Sequence, residues 1–224
     1  MHLSLFMQKN KTAYFITGTD TDVGKTYIAS ALIKHFCEQG LLTIGMKPVA
    51  AGAEMVNGRL LNSDVTELIN AGNVEADIEL INPYVFAPAI APHIAAEQVG
   101  VKVSLDKIQR AFNAFQSQAE MVVVEGAGGF RVPLNHQETM ADLAVKLNLP
   151  VIMVVGVRLG CINHALMTAG AIKEAGLTLA GWVANRIDPD MLAIEENIST
   201  LKAMIKSPCI ADVAWGKKPE FIDF

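Results

Sequence analysis

The chain has 224 residues, 51% hydrophobic and only 18% charged, enough for one sizeable core and too apolar for a disordered chain. Its net charge of −5 comes without a basic stripe, which argues against nucleic-acid binding, and its purest apolar stretch, 151–157, is far short of the roughly 18 residues that span a bilayer. Cys37, Cys161 and Cys209 show no Cys-x-x-Cys spacing, so they read as reduced thiols of a cytoplasmic protein rather than as a disulfide frame or zinc site.

Residues 1–12 lack the pattern of a secretory signal and read as a poorly ordered extension, with Met1 or Met7 as the start. A strand is predicted at 14–17, followed by a helix at 25–39 and a second strand at 42–47. A helix at Ser63–Ala71 comes next, and the proline-containing stretch 82–93 reads as an irregular surface excursion. Further helices are expected at 105–118, 139–147, 163–175 and 190–205, and strands at 121–125, 151–155 and Leu179–Asn185. The strands are almost wholly apolar, as strands covered on both faces must be. Their alternation with helices predicts one α/β domain over 1–224, a mostly parallel sheet with helices on both faces.

The strongest chemical signal follows the first strand, where the run from Gly18 to Thr26 reads Gly-Thr-Asp-Thr-Asp-Val-Gly-Lys-Thr and opens a helix. That is the context of a phosphate-binding P-loop: free N–H groups at a helix N-terminus face the anion, Lys25 reaches the β- and γ-phosphates, and the Thr26 hydroxyl holds Mg²⁺. Thr19 stands where the common pattern has its first glycine, so the spacing is not the strict one. Glu125 ends an apolar strand and begins Glu-Gly-Ala-Gly-Gly, which puts a carboxylate at the ligand edge of an open sheet, where Mg²⁺ needs one. Asp64 is open between a metal ligand and a residue of a helix start, and Lys47 between an anion-binding cation and a solvated strand end. Gly160-Cys161-Ile162-Asn163 precedes a helix and suits a carboxylate, with Asn163 as an ordinary N-cap as the alternative. The five histidines show no metal spacing.

Taken together, these segments resemble the dethiobiotin synthetase family. The match runs in family order through the P-loop, Lys47-Pro-Val-Ala50, Asn62-Ser-Asp64, Asn82-Pro-Tyr84, Pro92-His93, Val124 to Gly129, Gly160 to His164 and Ala180 to Asn185. The resemblance implies a P-loop NTPase fold and an ATP- and Mg²⁺-dependent ligase that closes the ureido ring of dethiobiotin from 7,8-diaminopelargonic acid and CO₂. It implies Thr26, Asp64 and Glu125 as metal ligands, and Lys25 and Lys47 as the catalytic cations. ATP would lie along Asp22, Val23, Gly24, Lys25, Thr26 and Tyr27, with Asp64, Glu125, Gly126, Ala127 and Gly128 beside it and Asn185 and Arg186 at the base. Substrate would meet Thr21 and Ala51, and Gly160, Cys161, Ile162 and Asn163 would bind its far carboxylate across a homodimer interface. Three positions depart from the family: Ala51 replaces a serine, Asn197 a tyrosine, and Val213-Ala214-Trp215 an Ile-Pro-Trp. The rival is a P-loop switch ATPase acting on a protein partner; such proteins carry an early second lysine in the loop, where Asp20 stands here.

Overall fold

Six parallel strands in the order β10-β9-β8-β1-β7-β2 form the central sheet of the computed structural model, which describes residues 12–222. In chain order the elements are β1 (Thr12–Gly18), α1 (Lys25–Glu38), β2 (Thr43–Met46), β3 (Val49–Ala51), β4 (Glu54–Val56) and β5 (Arg59–Leu61). Then come α2 (Ser63–Ala71), α3 (Ile78–Ile81), β6 (Tyr84–Phe86), α4 (Pro92–Gln98), α5 (Leu105–Phe115) and β7 (Met121–Gly129). The chain continues through α6 (Met140–Leu147), β8 (Val151–Gly156), α7 (Cys161–Glu174), β9 (Leu179–Asn185), α8 (Ile194–Met204) and β10 (Cys209–Val213). The expected extension lies outside the described residues except for Thr12, which already pairs with Met121 in β1.

Helices cover both faces of the sheet, as expected. Successive strand residues point to opposite faces, so Phe15, Val124, Met153 and Trp182 join a core with α5, α6, α7 and α8. Ile16, Val123, Ile152 and Val183 join a second core with α1. Side-chain caps explain several helix starts: Asn62 accepts from the Asp64 amide at α2, and Thr139 and Asp142 form a reciprocal capping box at α6.

Several expectations need correction. The stretch 82–93 is no surface excursion: β6 pairs in parallel with β3, Tyr84 and Phe86 are buried, and α4 begins at Pro92. The helix predicted from 163 starts at Cys161, capped by Gly160 at φ 93, so Asn163 lies inside its first turn and is not the N-cap. The helix predicted from 190 starts only at Ile194, after Ala193 in the left-handed region. The edge strand β10 and the short β4–β5 hairpin are additional. No helix among the described residues is long and apolar enough to cross a membrane.

Candidate active site

The C-terminal ends of β1, β2 and β7 converge on a cleft of about 670 Å³, as an open α/β sheet dictates. The cleft is lined by Thr21, Asp22, Gly24, Lys25, Thr26, Lys47, Ala51, Asp64, Glu125, Ala127 and Gly128, all predicted from sequence. It also takes in Val49, Ala50, Val132 and the run from Ala89 to Pro92, which sequence reasoning missed. The only advance signal for that wall was the Pro92-His93 pair.

Charge is concentrated on its floor. Glu125 is fully buried, and its Oε1 accepts from the Thr26 hydroxyl at 2.8 Å and from Lys47 Nζ at 2.5 Å. Lys47, itself 4% exposed, donates also to Asp64 Oδ2 at 2.8 Å, so one ammonium bridges both carboxylates. Burial opposes that charge, but Glu125 and Asp64 outweigh it and raise the Lys47 pKa. Two buried asparagines aim these groups. Asn82 Nδ2 donates to the Lys47 carbonyl at 2.6 Å, and Asn62, while capping α2, donates to the Ala51 carbonyl at 3.1 Å.

Lys25 is buried and donates to the Asp20 carbonyl across its own loop at 2.8 Å. Burial, reinforced by the neighbouring Lys47 charge, lowers its pKa to about 8 despite the nearby carboxylates. Asp20, at the position of a switch ATPase's early lysine, pairs with Arg158 at 2.6 Å.

Val23 and Gly126 lie beneath the cleft rather than on its lining. Asn185, at the end of β9, donates to the Val23 carbonyl at 2.8 Å and presses its amide against the loop. Gly24, at φ 85, leaves the room this needs: a Cβ there would sit 2.3 Å from Asn185 Nδ2. Gly24→Ala should therefore strain the loop by about 1–3 kcal/mol and weaken ATP binding more than tenfold, read by thermal melting and calorimetric titration. Arg186 is held by Asp212 at 2.8 Å and by Glu195 at 2.5 Å, and the Tyr27 hydroxyl donates to the Lys217 carbonyl at 2.7 Å. Both therefore border the C-terminal segment rather than the cleft. Gly160, Cys161, Ile162 and Asn163, at the start of α7, also lie outside the cleft lining of this chain.

The donor set fits a magnesium ion. Glu125 Oε2 is buried without a hydrogen-bond partner among the described residues, and the Thr26 hydroxyl and half-exposed Asp64 carboxylate add two more hard oxygen ligands. With only two carboxylates, such an ion would draw its remaining ligands from phosphate and water, as is usual for magnesium.

A family model described as an AAA domain matches residues 12–220. An ATP-dependent dethiobiotin synthetase BioD of Aromatoleum aromaticum is 50% identical over 201 residues, covering 90% of this chain and 89% of that protein. The chain belongs to the dethiobiotin synthetase family. Another member, the BioD of Cellvibrio japonicus, is 50% identical over 204 residues, covering 91% of this chain and 90% of its own length. Dethiobiotin synthetases share their fold with more distant proteins. The MinC:MinD cell division complex of Aquifex aeolicus aligns with TM-score 0.54 at 15% identity, covering 90% of this chain and 80% of that one. FtsY of Thermotoga maritima aligns with TM-score 0.53 at 16% identity, covering 95% and 65%. At such identities the likeness shows the P-loop fold alone.

Proposed function

We propose that this protein is a cytoplasmic ligase of biotin biosynthesis that closes the ureido ring of dethiobiotin from 7,8-diaminopelargonic acid, CO₂ and ATP. The observation that carries the reading is the cleft floor, where the Lys25 and Lys47 ammonium groups meet the Asp64 and Glu125 carboxylates. Such a set of fixed charges suits phosphoryl transfer between bound reactants. It works by holding reactants in line and neutralising charge that they develop.

In the proposed sequence one amine of the diamine adds to CO₂, losing a proton and becoming a carbamate. The carbamate oxygen attacks the γ-phosphorus and ADP departs, leaving a carbamic–phosphoric anhydride. The second amine attacks its carbonyl carbon and gives up a proton, phosphate departs with the C–O bonding pair, and the ring is closed. Lys25 neutralises the β- and γ-phosphates from the P-loop, and Lys47 the carbamate and the phosphoryl group in transfer. Thr26, Asp64 and Glu125 would hold Mg²⁺, which would supply further charge neutralisation at the phosphates. The Asn185 amide nitrogen supports the loop, and its carbonyl oxygen is the group to accept from the adenine amine, beside Arg186.

Thr21 and Ala51, on the cleft wall, meet the diamine. Its far carboxylate goes to residues 160–163 of a second copy. The apolar surface around that helix start supports the pairing, since Leu159 is 91% exposed and Met167 is exposed as well. Sedimentation should accordingly give a dimer.

Lys25 provides a pH test. Because folding lowers its pKa, the unfolded chain holds the proton more tightly: the destabilisation is fully present below about pH 8 and is relieved as pH rises towards 10.5. A triphosphate beside this lysine favours the charged form. Near pH 8 ATP binding should therefore take up to about half a proton, seen by calorimetry in buffers of different ionisation enthalpy, and Lys25→Met should abolish the uptake.

The reaction itself is tested by phosphate release with Mg-ATP, bicarbonate and the diamine, each omitted in turn, with product identified by mass spectrometry. Release that needs both co-substrates and yields the dethiobiotin mass supports the reading. Diamine-independent hydrolysis without that mass overturns it.

A further inference from the structure

The free site is already a closed ionic unit. Lys47 Nζ lies 2.5 Å from Glu125 Oε1 and 2.8 Å from Asp64 Oδ2, bridging two of the three groups that suit a divalent cation. The third, the Thr26 hydroxyl, donates to the same Glu125 oxygen. Lys47 and Glu125 are both deeply buried, so neither charge is compensated by bulk water. A lysine serving only the anionic reactants would gain nothing from being spent on both metal-binding carboxylates at once.

We propose that Lys47 is the resident counter-cation of the metal site. Its ammonium holds Asp64 and Glu125 together and keeps divalent cations out of the nucleotide-free protein. The metal enters only with nucleotide, and the exchange releases Lys47 to the carbamate and phosphoryl group. Charge supports this order. In the free cleft Asp64 and Glu125 balance the Lys25 and Lys47 ammonium groups and Asp22 adds one further negative charge, so a lone divalent cation would still leave net positive charge in a partly desolvated site. A metal arriving with a triphosphate brings net negative charge, which two freed lysines can meet. This proposal rests on the reading of the cleft given above, but not on turnover.

The test is Mn²⁺ binding to the nucleotide-free protein, followed by electron paramagnetic resonance, for the wild type and Lys47→Met. The wild type should bind Mn²⁺ weakly, and Lys47→Met about tenfold or more tightly, because the carboxylates lose their internal cation. Millimolar Mg²⁺ without nucleotide should then raise the melting temperature of the variant and leave that of the wild type unchanged. Equal Mn²⁺ affinity in the two proteins would overturn the proposal. Should Lys47→Met not fold, wild-type protein with ¹⁵N-labelled lysine side chains serves instead. The Lys47 ammonium resonance should be protected in the free protein, unmoved by Mg²⁺ alone, and shifted by Mg²⁺ with ADP; a shift with Mg²⁺ alone, or none with both, would overturn it. None of these measurements needs diamine or product, so ring closure can fail while the exchange stands, and the reverse.

Discussion

Glu125→Gln should lower turnover about 10³-fold while leaving a folded protein. The substitution keeps size and shape but removes the negative charge that meets the Thr26 hydroxyl and the Lys47 ammonium. Two functions should then fail together: the proposed metal site loses an anionic oxygen, and Lys47 retains only Asp64 to hold it in place. Glu125→Ala should add a fold penalty of about 3–5 kcal/mol, because a buried ammonium loses its closest partner and a cavity opens beneath the P-loop. Product formation and thermal melting, measured on both variants, separate chemistry from folding. Retention of more than a tenth of wild-type turnover in Glu125→Gln would remove this residue from the catalytic machinery.

Lys47→Ala should reduce kcat about 10²–10³-fold without weakening Mg-ATP binding more than about threefold. Its ammonium is directed at the Asp64 and Glu125 carboxylates, whereas the proposed phosphate cradle is formed by Lys25 and the start of α1. A charge that acts on the carbamate and the phosphoryl group in transfer is felt in the transition state far more than in bound ATP. Steady-state kinetics paired with equilibrium nucleotide titration make the comparison. A loss confined to ATP affinity would move Lys47 into the phosphate cradle instead.

The elements legible in the sequence were those whose own composition decides them. Five of the six strands of the main sheet are largely apolar runs, readable because both faces are covered. The sixth, Cys209–Val213, interrupts its short apolar run with the exposed Asp212, so its pattern is too mixed to stand out. Strands β3 and β6 have three residues each, too short for periodicity, and exist because they pair with each other. In the cleft, Lys25, Thr26 and Glu125 were readable from their places at a helix start and a strand end, and Lys47 and Asp64 only through resemblance. Asn62 and Asn82 matched the family stretches, but their work lies in long-range bonds to the Ala51 and Lys47 carbonyls, which no local pattern encodes. The Ala89–Pro92 wall likewise depends on where α4 docks.

The strand order has a further consequence, for the birth of the molecule rather than its chemistry. β1 carries the phosphate loop on its end, yet its neighbours in the sheet are β7 and β8. Thr12 pairs with Met121, so about 110 residues must leave the ribosome before β1 gains either flanking strand, an interval of about 5–20 s at ordinary elongation rates. Throughout that interval Phe15 and Ile16 have no sheet to enter. That exposure makes the nascent chain prone to aggregate, so mutations that slow the arrival of β7 should show as aggregation during synthesis even where the finished protein is stable.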